Sequence, residues 1–456
     1  DPAHQQSVDA LERILIRTED WDELIELYTA KQEALSEAHD KAETKFLIGE
    51  IYEDRKSNDQ SAIEAYKIAL EIEPGHTLSL KGLERLYAKT GEFKELLETL
   101  ETQLGHATTP RQQVSLLLRR AQLLEEEFVE REKALEELVQ LLEIEPDNEE
   151  ALTAQARLLK ALEQWESLDA ALDKHISVTS DKERKAVLLE DRANLLVDHL
   201  ENPGLAADML AELAELKPED RIVLNDLARQ RLAAENVEGA IDALKKLTEV
   251  TEEDMAKANV WVRIGELYER KLEEHDEAEA AFRKALDADK TNAVAAAALQ
   301  ERYAEKGDMT AALAMLERQL DSASGDLEQS RIYNEMGKVC REKLDQPERA
   351  VEYFEKALEL DKSNSDAAEP LAEIHRAAGR WDAAVAIYDR FSDAVDAMPA
   401  EKKIEFYDAW GEANRALGDL EKAQKAFESA VDVDAENGAI LTKLADVLFD
   451  QAGRGA

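Results

Sequence analysis

The chain has 456 residues, with 102 acidic side chains against 57 basic ones and a net charge of -45. So large a negative charge repels phosphate backbones and anionic membrane surfaces, which excludes nucleic acid as a partner and favours a basic one. A single cysteine leaves no internal disulfide framework and fits a reducing, cytoplasmic setting, and no apolar run approaches the roughly 20 residues that insert across a bilayer. Hydrophobic residues still make up 44% of the chain, and only 17 Gly and 9 Pro interrupt it, so the composition is that of packed helices rather than of a disordered polyanion.

Taken in chain order, amphipathic helical stretches alternate with short polar turns, and the turns keep a step. The breaker between stretches stands at Pro2, Pro74, Pro146, Pro218, Lys290, Lys362 and Ala435. A large apolar residue recurs at Trp21, Phe93, Trp165, Val237, Met309 and Trp381, and a small one at Ala62, Ala134, Ala206, Ala278, Ala350 and Ala423. Three unrelated residue types share a step of 72, lengthened to 73 only at the last step, to Ala435 and Ala423. This predicts one continuous array of double repeats over approximately 3–74, 75–146, 147–218, 219–290, 291–362 and 363–435, followed by a terminal helix at 438–452. Turn signals every thirty-odd residues exclude a heptad coiled coil.

Within each step the pattern occurs twice. The stretch 261–292, "WVRIGELYERKLEEHDEAEAAFRKALDADKTN", places Gly265, Tyr268, Ala278, Phe282 and Ala285 on two amphipathic helices joined by a polar connection. The alternate half is weaker. In "LKGLERLYAKTGEFKELLETL" (80–100), Glu84 and Leu96 occupy the small positions, so the contact between its helices must be remodelled. The segment 407–437, with Tyr407, Trp410, Gly411, Gly418, Ala423, Phe427 and Ala430, resembles the tetratricopeptide repeat (TPR), a helix-turn-helix unit of about 34 residues. The resemblance extends over essentially the whole chain. It implies an all-α, right-handed superhelical solenoid of about twelve units plus a C-terminal helix, with the first helices lining a concave wall. The 72-residue step exceeds two such units; one extra residue is expected in the turn of the stronger unit and three after the second helix of the weaker one. The even step and phrases such as "DPAH" and "GRWDAA" are similar to the very long TPR proteins of myxobacteria and related delta-proteobacteria. The opening "DPAH" reads as a between-unit turn, so the chain is expected to be cut from a longer array, and the terminal helix is expected to serve as a cap.

No stretch resembles a catalytic site, and neither a cofactor nor a metal is expected. The eight histidines (4, 39, 76, 106, 175, 199, 275 and 375) show no metal-binding spacing, and His4 and His76 read as turn residues. Cys340 falls on a core position. The position that would face the concave groove reads Arg13, Glu50, Arg85, Gln122, Arg157, Asn194, Arg229, Glu266, Glu301, Lys338, Glu373 and Glu412. These side chains form either a track for a ligand or a ladder of mutual pairs between neighbouring first helices. The reversal of sign around 266–338 favours the ladder. The Lys, Asn and Arg set with which some TPR domains hold acidic chaperone tails is absent. The chain therefore reads as a non-catalytic scaffold that binds protein segments in its groove, with a protein partner of basic surface. The alternatives are a structural element that self-associates through its solenoid ends, or the regulatory arm of a larger protein.

Overall fold

The computed structural model describes residues 5–392, 395 and 398–454; Pro2 and His4 lie outside them. Among the described residues there are twenty-five α-helices and no strand, and within each compact unit every helix packs on the next in sequence. The chain falls into two compact units, Asp1–Pro218 and Glu219–Ala456, whose boundary coincides with one of the 72-residue steps. Each unit is an α-solenoid of helix pairs, for example Glu149–Ala161 with Trp165–Val178 and Lys182–Asp198 with Pro203–Leu216.

Every marker of the period has its own structural task. Pro74, Pro146 and Pro218 sit between the end of one helix and the capping residue of the next, where a missing N–H costs nothing. Trp21, Phe93, Trp165, Val237, Met309 and Trp381 are each the first residue of a second helix. The six alanines of the small position are all 0% exposed, because the paired helix leaves room for nothing larger than a methyl group. Beside them pack Tyr66, Phe282, Phe354 and Phe427, among the largest fully buried side chains of the described residues. Each contributes on the order of 1.5–3 kcal/mol by leaving water.

These rings fit because the facing first helix carries glycine. A Cβ on Gly265, Gly337 or Gly411 would lie 2.6 Å from Phe282, Phe354 or Phe427 respectively. Tyr66 is held from two sides, since a Cβ on Gly49 would come within 2.3 Å of its ring and one on Gly82 within 2.6 Å. In the weaker half the contact is remodelled, as expected. Glu84, 8% exposed, accepts a hydrogen bond of 2.8 Å from Gln103 Nε2 and pairs with Arg119, while Leu96 packs into the core beside Leu100.

The extra residues of the step do not form a longer loop. They extend the following first helix, which runs 17 residues in Pro110–Glu126, Lys182–Asp198 and Asp326–Glu342 against 13 in Glu149–Ala161 and Arg221–Ala233. Cys340 is completely buried in the core, and burial raises its thiol pKa. The terminal helix Gly438–Arg454 turns Ile440 and Val447 inward but leaves Leu441, Leu448 and Phe449 in solvent, so its outer face is not the polar cap that was expected.

The turn inside each pair reverses through one residue in the left-handed region. Twelve positions do this, from Glu19 to Gly418, and only Gly91, Gly307, Gly379 and Gly418 are glycine. Val129 stands there with φ 57°, a β-branched residue in a conformation that costs about 1–2 kcal/mol. Val129→Gly is therefore expected to stabilise the protein by about 1 kcal/mol, read as a rise of a few degrees in the thermal midpoint. Gly337→Ala should act in the opposite sense. The helix-propensity gain of about 1 kcal/mol is outweighed by overpacking against Phe354, for a net loss on the order of 1–3 kcal/mol, and a neutral result in denaturant titration would contradict the packing described.

Candidate functional site

The groove-facing positions resolve into a ladder with a register of its own. Arg85 donates two hydrogen bonds to Glu53 on the preceding first-helix segment, at 2.6 and 2.7 Å. At the equivalent places Arg157 donates to Glu125 at 2.6 Å, and Arg341 donates to Glu373 at 2.6 Å with the signs exchanged. The partner thus lies three residues beyond the expected one, at Glu53 rather than Glu50. Burial alone would raise the pKa of Glu53, but Arg85 and Tyr66, whose hydroxyl donates at 2.8 Å, outweigh it and hold it below the ordinary value. Glu50, without such donors, is desolvated and shifted upward, with Asp54 adding to the effect.

At three other positions the pairing is local, and at Glu412 it again joins neighbouring first helices. Arg229 meets Asp226 at 3.0 Å, Lys338 meets Glu335 at 3.0 Å, and Glu266 lies 3.7 Å from Arg270, all on one helix. Glu412 receives Arg376 at 2.7 Å and Lys443 at 2.5 Å. Arg13, Gln122, Asn194 and Glu301 have no ion pair or hydrogen-bonded side chain among the described residues.

Three of the predicted positions come together in one groove. Gln122, Arg157 and Asn194 lie on the successive first helices Pro110–Glu126, Glu149–Ala161 and Lys182–Asp198, along which two cavities of about 390 and 530 Å³ adjoin. Thr153 and Arg157 line both. The larger cavity has an apolar floor of Leu168, Leu172, Leu188 and Leu195 and is flanked by the rings of Trp165 and His199, which stack 3.8 Å apart at 12°. Trp165 is only half buried.

The charges around the groove are unequal. Arg157 is engaged by Glu125, and Arg184 by Glu149 at 2.7 Å and by Thr153 at 2.9 Å. Lys160 is left against Glu126, Glu150, Asp191 and Asp198. The helices around Asp191 desolvate its carboxyl and push its pKa up although its tip reaches solvent, and Lys160 only partly opposes this. His175, 2% exposed, lines the same cavity with no partner on either ring nitrogen. Burial lowers its pKa and the Arg184 charge adds to this, so the ring is neutral at neutral pH. His175 and His199 were not legible as groove residues, because they arise on different helices and carry no motif.

Family models described as tetratricopeptide repeat match residues 7–37 and 79–114, 258–292, 343–396 and 409–456. None of these models describes an enzyme. No curated protein matches the chain. Among solved structures, the C-terminal part of a TPR repeat-containing protein from Cytophaga hutchinsonii is similar at 18% identity and a TM-score of 0.36, covering 57% of this chain and 98% of its own. YrrB, described as a TPR protein with an unusual peptide-binding site, aligns at 22% identity and a TM-score of 0.32, covering 44% of this chain and 97% of its own. A chain of the Naa15/Naa10 structure bound to HypK-THB aligns at 18% identity and a TM-score of 0.33, covering 96% of this chain and 73% of its own. No helix among the described residues is long and apolar enough to cross a membrane. Tetratricopeptide-repeat models thus match segments in both compact units, where the repeated helix pairs keep the same small-against-aromatic packing.

Proposed function

We propose that the chain is a non-catalytic scaffold that binds an extended, basic protein segment along the first-helix groove of residues 110–198. The observation that supports this reading is the acidic surplus of the groove. Two of its three cations are already engaged, while Glu126, Glu150, Asp191 and Asp198 face a space that the repeat's own packing leaves open. A Lys or Arg side chain suits that space, since its aliphatic stem lies on the leucine floor, its charged end meets the carboxylates, and Trp165 offers an aromatic face. The net charge of -45 steers such a partner toward the chain from a distance.

Fluorescence titration with extended Lys/Arg-rich peptides tests the reading. Affinity is expected to fall as salt rises, and the combined change Asp191→Asn and Asp198→Asn is expected to weaken binding by roughly tenfold, the scale of one or two charge-assisted contacts. Circular dichroism should be unchanged in the variant. Equal affinity for acidic peptides, or binding indifferent to the two substitutions, would count against the proposal.

A second reading is favoured by a separate observation. Leu11, Ile14 and Ile16 on the first described helix and Leu441, Leu448 and Phe449 on the last are exposed, and apolar faces of this kind associate. If copies join through these helices, light scattering will show mass rising with concentration, and Phe449→Glu, at a residue 79% exposed, will suppress the rise without loss of helicity.

A further inference from the structure

A repeat protein shows what packing requires by repeating it, so a departure from the repeat is informative. The residue that caps the first helix after each 72-residue turn is Asn148, Asp220, Asn292, Asn364 or Asn437, and each accepts a backbone hydrogen bond through its side-chain oxygen. At the same place in the first described turn stands His76, buried, whose Nδ1 lies 3.3 Å from the backbone nitrogen of Ser79. Asn or Asp is sufficient for the cap, so the imidazole exceeds what capping needs.

The surroundings of His76 are also unlike those of its equivalents. Its Nε2 lies 3.1 Å from Glu43 Oε2, and the ring of His39 is centred 5.9 Å from its own. His39 Nδ1 lies 2.9 Å from Glu73 Oε2, and the donor atoms of His39, Glu73 and His76 all fall within 4.8 Å of one another. These residues come from the helix Ala38–Glu50, from the cap that ends Asp59–Ile72 and from the start of Thr77–Thr90. The next step has Arg111, Ser115, Glu145 and Asn148 in their places, and the one after has Glu183, Val187, Lys217 and Asp220. The set therefore does not repeat with the fold. His39 stands 34 and 37 residues before Glu73 and His76, so no compact metal-binding spacing announces the set.

We propose that His39, Glu73 and His76 form a Zn²⁺ site that ties the second helix pair to the third, with water as the fourth ligand. Two imidazoles, one carboxylate and a water are a donor set that Zn²⁺ accepts. Bonds of about 2.0–2.2 Å in a tetrahedron bring ligand atoms to roughly 3.3 Å from one another, so the three donor atoms, all within 4.8 Å, need close only slightly around the ion. His76 Nδ1 accepts the backbone N–H of Ser79, so a metal at Nε2 moves the ring proton to Nδ1, where Ser79 Oγ, 2.9 Å away, accepts it. The ion takes the place of the proton between His39 and Glu73 and competes with protonation of both imidazoles, so binding weakens in acid.

The test is titration of the full chain with Co²⁺, followed by visible absorption, and with Zn²⁺ in competition against a chromophoric chelator. The expected result is one ion per chain with the intense spectrum of tetrahedral Co²⁺, displaced by Zn²⁺, and a thermal midpoint raised by Zn²⁺. His39→Ala and Glu73→Gln should each lower the affinity at least tenfold. His76→Asn installs the cap used by the other repeats, so it should fold as well as the metal-free parent yet lose the rise in midpoint. An octahedral Co²⁺ spectrum, or affinity unchanged in His39→Ala and His76→Asn, would overturn the site and mark the binding as that of scattered surface carboxylates.

Discussion

The ring of Tyr66 stands where a methyl group on Gly49 or Gly82 would otherwise be, and Phe282, Phe354 and Phe427 stand in the same relation to Gly265, Gly337 and Gly411. This exchange of volume, a side chain withheld on one helix and a large one supplied by its partner, sets how closely the helices of a pair approach. The short turns, the buried alanines and the register of the next first helix follow from it. Where the first helix carries Ala121 instead of glycine, the partner is Leu138, a smaller residue that packs with it in one cluster. Ala193 and Leu210, both buried, hold the same two places one step later. Size is conserved across the pair rather than at either position, as expected of an interior packed to crystal-like density.

Much of this was legible in the sequence, because steric demands recur wherever the same two helices meet. Trp21 and its equivalents mark helix starts, Ala62 and its equivalents mark the closest approach, and the prolines mark the stops. Electrostatic pairing was legible only in outline. The alternation of sign along Arg85, Arg157 and Glu373 pointed to mutual compensation, but long side chains reach along a helix, and the partners lie three residues further on than spacing alone suggested. Exposed pairs of this kind contribute roughly 0–1 kcal/mol each, so they select register more than they hold the fold together. The extra residues of the step illustrate the opposite case. Their sequence is compatible with a loop, and tertiary packing extends the helix instead.

What the period does not require is where function is best sought. The groove of residues 110–198 keeps a partnerless buried histidine, an incompletely neutralised aspartate and a half-exposed tryptophan, none of which the repeat needs. The His39, Glu73 and His76 cluster is likewise confined to one turn. Both were invisible in sequence for the same reason: their members are brought together by stacking, from helices whose separation along the chain carries no motif.

The claim that paired volume governs the helix contact is tested most directly by a double-mutant cycle at residues 265 and 282. Gly265→Ala alone overpacks the site and Phe282→Leu alone leaves a void, so each single change should destabilise by on the order of 1–3 kcal/mol. Together they reproduce the combination that Ala121 and Leu138 already use, and the double variant should recover stability, with a coupling energy of about 1 kcal/mol or more. Strict additivity of the two losses would contradict the account.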